Sequence, residues 1–477
     1  MKNDIDPANL ELYIADEFDK NILPSFKEFL SVPNVSPSYD KDWKNNGFLK
    51  KAATVLLEYA QNIGISGLHA SLCLGEEENV TPFLFIEINS TYKEERRVLL
   101  YGHYDKQPPL TGWEEGKGPY SPIIENDYLY GRGAADDGCS FYAALTSIKA
   151  LQKFKIPHPK ITILIEGCEE SGSIDLPFHI EKYKQFIGSP DLIIAMDGGG
   201  LDYNRFWLSN SVRGIMRFDL TVTTLTKGIH SGTGSGVAPE TMMILRNLIS
   251  RIEDYKTEIV SMKQFEVEIP QAVIDSAKKT LDAVGNTWIQ NVPILPGVKY
   301  LSDDLLKVYL NSSWNPSLAV LGVNGLPDLN NAGNVLRPST TFKISVRLPP
   351  TYETIKAKQI IQKVLTENPP FNSDIKVSNF NYSDGAYISN TSDKLKSELN
   401  KISQTFFQND YSEISVGGTI PFVQIFLNMF PNAQMLVTGA AGFDSHIHSQ
   451  NEKLKISYFK KFVCSLTNLI GDYNQYI

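Results

Sequence analysis

Four short apolar runs constrain this chain more than any other feature: Phe83 to Ile88, Val98 to Tyr101, Ile161 to Ile165 and Leu192 to Met196. Each is rich in Ile, Leu, Val or Phe, and none alternates cleanly with polar residues. That is the pattern of strands covered on both faces. Covering helices are predicted at Ser140 to Phe154 and at Asp42 to Ile65, where Phe48, Leu49, Ala52, Val55, Leu56 and Tyr59 recur at helical spacing. The expected fold class is α/β, built from strand, helix, strand units in a doubly wound domain.

The texture changes near Ser211. Gly214 to Thr224 and Thr341 to Leu348 alternate apolar and polar residues, as half-exposed strands do. Pro239 to Ile252 reads as a helix with proline in its first turn, and Tyr352 to Leu365 as another. Asp374 to Phe380 fits an edge strand. After about Thr391 the first texture returns, with a helix from Lys394 to Phe407 and a strand at Gln434 to Val437. At 477 residues the chain is too long for one core. We expect residues 1–210 and 388–477 to form one domain, interrupted by an α+β domain over 211–387.

Charge and cysteine content narrow the function classes. Lys and Arg total 45 against 54 Asp and Glu, a net charge of -9 with no basic block. Nucleic acid and anionic membrane surfaces are therefore poor partners. No run approaches the roughly 20 apolar residues of a membrane span. The start, Met1-Lys2-Asn3-Asp4-Ile5-Asp6-Pro7, does not read as an export signal. The four cysteines, Cys73, Cys139, Cys168 and Cys464, form neither a disulfide framework nor a CxxC zinc motif. A reduced, cytoplasmic setting is expected.

Five places set a ligand or base just beyond an apolar strand: His103-Tyr104-Asp105, Asp136-Asp137, Glu169-Glu170, Asp197 and His448. Each alone has an ordinary reading as a cap, turn or solvated face. Gly131-Arg132-Gly133 is no dinucleotide fingerprint, because Asp136 stands where the third glycine belongs. Together, at the carboxyl ends of successive strands, the five can converge on one rim. Histidine and carboxylate donors without thiolate suit zinc, manganese or cobalt, and a carboxylate shared by two ions makes a hydrolytic site. Of two adjacent glutamates, one can ligate while its neighbour serves as general base. The spacing His103-x-Asp105 lets Asp105 hold the other imidazole proton.

The strings GHYDKQP, LYGRGAADD, EGCEESGS, an Asp closing a strand, and HSQNEKL, in order from about Val98 to Lys453, resemble the M20 family of metallopeptidases. The likeness is greatest to its cytosolic non-specific dipeptidase, or carnosinase-like, branch. The resemblance implies a two-metal catalytic domain with an inserted lid that often also makes a homodimer. It implies that His103 and Asp197 bind one ion, that Glu170 and His448 bind the other, and that Asp136 bridges them. Glu169 would be the general base acting on a bridging water, and Asp105 the partner of His103. His230, in KGIHSG, would stabilise the oxyanion, commonly in the neighbouring subunit. Asn334, Arg347 and the loop residues Gly418 and Thr419 would bind substrate, with Arg347 gripping its carboxylate. Zinc is the expected metal, with manganese or cobalt as alternatives.

Three departures from the family pattern involve four positions. Gly138 replaces a lysine beside the bridge, Ser415-Val416 replace a charged pair, and Thr419 replaces serine. The expected activity is cleavage of the amide bond of dipeptides or small peptides. An N-acyl amino acid deacylase is the alternative within the same chemistry, and a silent scaffold the reading from another class.

Overall fold

The apolar runs assemble into a six-stranded sheet in a computed structural model that describes residues 5–75, 79–92, 96–290 and 292–476. Met1 to Asp4, part of the segment read above for an export signal, lies outside the described residues. In spatial order the strands are Leu68–Cys73, Phe83–Ile88, Lys160–Glu166, Arg97–His103, Leu192–Ala195 and Gln434–Val437. Arg97–His103 runs parallel to both neighbours, and Gln434–Val437 continues the parallel set. The sheet is nonetheless mixed, because Phe83–Ile88 is antiparallel to the strands on either side. Val98 to His103 and Ile161 to Glu166 are buried throughout, as unbroken apolar strands require.

Helices cover both faces. Phe48–Asn62, Gly138–Lys153 and Ile456–Gly471 pack on the side of Leu100 and Ile163, and Leu176–Ile187 and Pro421–Met429 on the side of Leu99 and Leu164. The expected helix over 42–65 is broken at Gly47, whose φ of +73° separates Trp43–Asn46 from Phe48–Asn62. Glycine is the residue that adopts that conformation without strain. Pro239 stays outside its helix, which spans Thr241–Ile249 after an extended Glu240.

A second sheet contains only strands from the middle of the chain. Its order is Ser317–Asn324, Ser339–Leu348, Gly214–Thr223 and Asp374–Ser383, all antiparallel. Met216, Phe218, Leu220, Ile344 and Val346 form its core with helices Thr241–Ile249 and Thr354–Thr366. The opposite face borders a cavity shared with the first sheet. A small third sheet joins the two parts. In it, Trp207–Val212 lies between Ala386–Tyr387 and Ser412–Val416, with Val212 opposite Ala386 and Ser211 opposite Tyr387. Helix Gln271–Val284 packs onto this joint, where the Thr280 hydroxyl donates to the Glu413 carbonyl at 2.7 Å.

Candidate active site

Parallel strands place four of the five chemical positions on one rim. His103 ends its strand fully buried, Glu169 and Glu170 form a helical turn after Lys160–Glu166, and Asp197 follows Leu192–Ala195. His448 lies on the loop beyond Gln434–Val437, on backbone with φ +58°. Asp105 binds two pieces of this rim together. Its carboxylate oxygens accept the backbone N–H groups of Glu169 at 3.0 Å and Glu170 at 3.1 Å. The Nδ1 of His103 is 3.1 Å from the Asp105 carbonyl and 3.4 Å from its carboxylate, so the carbonyl is the nearer acceptor.

Asp136 reaches the site by another route. The strand before it, Tyr128–Tyr130, belongs to a separate three-stranded sheet and pairs with Lys453–Lys455. The turn between strand and site is held by Glu452, whose carboxylate accepts the N–H groups of Gly133, Ala135 and Asp136 and pairs with buried Arg132 at 2.7 Å. The Asp136 carboxylate consequently lies between the two imidazoles, 3.1 Å from His103 Nε2 and 2.9 Å from His448 Nε2. Glu170 is 3.3 Å from the same His448 nitrogen, and Asp197 is 3.9 Å from His103 Nε2.

The electrostatics show what this donor set lacks. Burial, reinforced by Asp197, holds Glu169 well above the usual carboxylate range. Burial also raises Asp197 to about 7 and lifts Glu170. Asp136 moves the other way: burial resists its ionisation, but hydrogen bonds from His103 and His448 keep its carboxyl low. His448 is raised to about 11 because Asp136 and Glu170 outweigh the effect of burial. Carboxylates outnumber cations in a buried space, a shortage of positive charge. Buried Glu170 Oε1 and Asp137 Oδ1 have no hydrogen-bond partner, although most buried polar atoms in proteins do. Donor atoms of His103, Asp136 and Glu170 lie within 4.8 Å of one another, as do those of His103, Asp137 and Asp197. This chemistry fits divalent cations with nitrogen and oxygen ligands.

The site opens into a cavity of about 1000 Å³ that is walled on its far side by the second sheet. Glu169, Arg347, Gly418 and Thr419 all line it. Arg347 donates to the Thr419 hydroxyl at 2.9 Å, and that hydroxyl donates to the Arg213 carbonyl at 2.5 Å. Two expected substrate contacts stand apart. His230 is exposed, accepts the Gly232 N–H through Nδ1 at 3.1 Å, and does not line the cavity. Asn334 is its neighbour, since Ser231 N–H donates to the Asn334 carbonyl and His230 pairs with Val335, but it is absent from the cavity wall as well.

The departures have local explanations. A Cβ on Gly138 would fall 2.4 Å from Phe29 and 2.6 Å from the Gly133 carbonyl, so no lysine fits there. The amine over Phe29 is that of Lys106, 4.5 Å from the ring centre and buried, donating to the carbonyls of Phe29, Leu30 and Val32. Ser415 is buried in a polar cluster: its hydroxyl accepts from Trp314 Nε1 at 3.1 Å and donates to Asn210 at 2.8 Å. Cys139 and Cys168 are packed in the interior. Sequence alone assigns no part to Arg132, Glu452 or Lys106, and marks Asp137 only as the neighbour of Asp136. Arg132 and Glu452 lay within the quoted strings, yet their pairing across 320 positions has no local signal.

A mixed α/β domain that gathers histidines and carboxylates at a sheet rim, beneath an inserted sheet bearing a guanidinium, defines a metal-dependent hydrolase. The chain matches Peptidase family M20/M25/M40 over residues 99–472 and belongs to that family. It is 27% identical over 387 residues to the mouse Beta-Ala-His dipeptidase, covering 80% of this chain and 77% of that protein. It is 26% identical over 371 residues to the Cys-Gly metallodipeptidase of Candida albicans, with 76% of each covered. Human carnosine dipeptidase 1 has a similar fold, with a TM-score of 0.77 at 22% identity over 98% of this chain and 99% of the other.

Proposed function

We propose that this chain is a metal-dependent dipeptidase. The observation carrying the proposal is the Asp136 carboxylate between two imidazoles, with Glu169 beside it and Arg347 on the same cavity wall. His103 and Asp197 would hold one divalent ion and Glu170 and His448 a second, with Asp136 placed to serve both; zinc would be the preferred ion. When bound, such ions polarise a carbonyl and bring the pKa of water down to about 7. Glu169 takes the proton of the attacking water on a carboxylate oxygen and returns it to the leaving amine nitrogen. Arg347 fixes the substrate's terminal carboxylate, and Gly418 and Thr419 close the loop around it. The lid has boundaries near 211 and 387, where the entering and leaving strands pair.

The same proposal covers assembly. The outer strand Ser317–Asn324 exposes Val320, Leu321 and Val323 on an unpaired sheet edge, a surface that suits a second copy. A homodimer formed through the lid would let His230 and Asn334 serve the partner's cavity. All four cysteines are free, which supports a cytoplasmic setting. No described helix is long and apolar enough to cross a membrane.

The test is amine release from free dipeptides and N-acetyl amino acids by protein stripped of metal and reloaded with zinc or manganese. Metal-dependent cleavage of the free dipeptides is expected. Cleavage of the acylated compounds alone would move the function to deacylation, which is not favoured by relatives named as dipeptidases.

A further inference from the structure

Arg217 stands on the cavity face of strand Gly214–Thr223, while Met216, Phe218 and Leu220 enter the core beneath. Register places it opposite Ser345 on one side and Asn381 on the other. Arg347 is two residues along from Ser345, so the two arginines are diagonal neighbours, with backbones about 7–8 Å apart. Guanidinium side chains span that distance easily. They are also electrically aware of each other: burial and the charge of Arg217 together hold Arg347 below its ordinary range.

No described carboxylate neutralises this pair. Asp219, the acid on the same face, receives a hydrogen bond from Asn379 at 2.8 Å and lies 3.8 Å from Lys343. Arg347 donates to Thr419, and among the described residues Arg217 has no ion pair or hydrogen bond. The neighbouring strand is adapted to this arrangement. A bulge between Ser378 and Asn381 sets Phe380 against the Phe218 ring, with centres 5.4 Å apart, and brings Asn381 rather than Phe380 opposite Arg217. Bulges beside functional sites commonly re-aim a side chain in this way.

One substrate carboxylate satisfies one guanidinium and leaves the second facing a like charge. We propose that Arg217 is a specificity residue that selects dipeptides whose C-terminal residue carries a second carboxylate, as aspartate or glutamate does. The α-carboxylate engages Arg347, and the side-chain carboxylate engages Arg217 with Asn381 beside it. This rests on the dipeptidase reading and adds a substrate class to it.

The test compares kcat/KM for Ala-Glu and Ala-Gln within each protein, so that overall changes in rate cancel. The metal-loaded native chain should favour Ala-Glu by roughly tenfold or more. Arg217→Met should bring the ratio close to one, and Arg217→Lys should retain part of the preference. Equal rates in the native chain, or a preference that survives Arg217→Met, would overturn the proposal. A second readout is calorimetric binding of free glutamate and glutamine to the metal-free protein, with glutamate favoured only while Arg217 is present. If no dipeptide is cleaved, the dipeptidase reading fails, and the calorimetry alone decides the role of Arg217: equal binding of the two amino acids overturns it.

Discussion

The sheet rim and the lid are built on opposite plans. At the rim, each chemical group is fixed by the chain around it: Asp105 holds the glutamate turn, Glu452 holds the Asp136 turn, and Asp136 meets both imidazoles. In the lid, Arg347 reaches the cavity, whereas His230 and Asn334 lie on an exposed surface away from it. The contrast teaches that one chain brings the rim groups together, while two of the substrate contacts expected of the lid lie outside the cavity.

The largest predicted effect tests the rim's chemistry without disturbing its framework. Glu169→Gln should lower kcat by about 10²–10⁴-fold, because only the proton acceptor is removed. Bound metal, measured by elemental analysis, should remain near the native level. Loss of metal along with activity would mean that Glu169 ligates and would dissolve the assignment of roles between the adjacent glutamates.

The next prediction concerns the rim's framework. Glu452→Ala leaves Arg132 buried without its partner and releases three backbone N–H groups, so it should destabilise the fold by about 3–5 kcal/mol in denaturant unfolding. Metal affinity should fall too, since the Asp136 turn loses its anchor. Replacing both partners, as Arg132→Met with Glu452→Leu, removes the unpaired charge but leaves the three N–H groups without an acceptor, so it should recover only part of the stability and none of the metal affinity. Recovery of both would show that the pair serves packing alone.

That pair marks the limit of what the sequence makes legible. His103, Glu169, Glu170 and Asp197 could be read because each follows an apolar strand, and parallel strands bring their carboxyl ends together. Asp136 could be read for its chemistry but not its route, since Tyr128–Tyr130 belongs to a different sheet. Arg132 and Glu452 are remote in sequence, and a charged side chain ordinarily reads as surface. The fold's texture was visible from the same apolar runs, whereas the break at Gly47 depended on one residue's positive φ. Helix Gln271–Val284 and strand Ser317–Asn324 were not anticipated; the strand's exposed apolar residues do not follow the usual inward pattern.

The lid side of the comparison is tested by His230→Ala. If this residue donates to a developing oxyanion, kcat should fall by about 10²–10³-fold with a smaller change in KM. Mixing subunits of His230→Ala with Glu169→Gln should restore part of the activity if each cavity borrows the histidine of its partner. No restoration, in a mixture shown to contain mixed dimers, would place His230 in its own cavity after lid movement and remove the need for a second copy.

The smallest effect should come from the joint between the two regions. Ser415 links Trp314 of the inserted segment to Asn210 of the third sheet, and its N–H donates to the Tyr309 hydroxyl at 2.8 Å. Ser415→Ala removes the hydroxyl while keeping that backbone bond, so buried Trp314 Nε1 loses its acceptor. The expected destabilisation is about 1–3 kcal/mol. Metal affinity should stay unchanged, because no rim residue depends on this cluster, while KM should rise as the Arg347 wall loses its fixed position. A fall in metal affinity instead would mean that the joint also tensions the rim, and the two regions would then have to be treated as one mechanical unit.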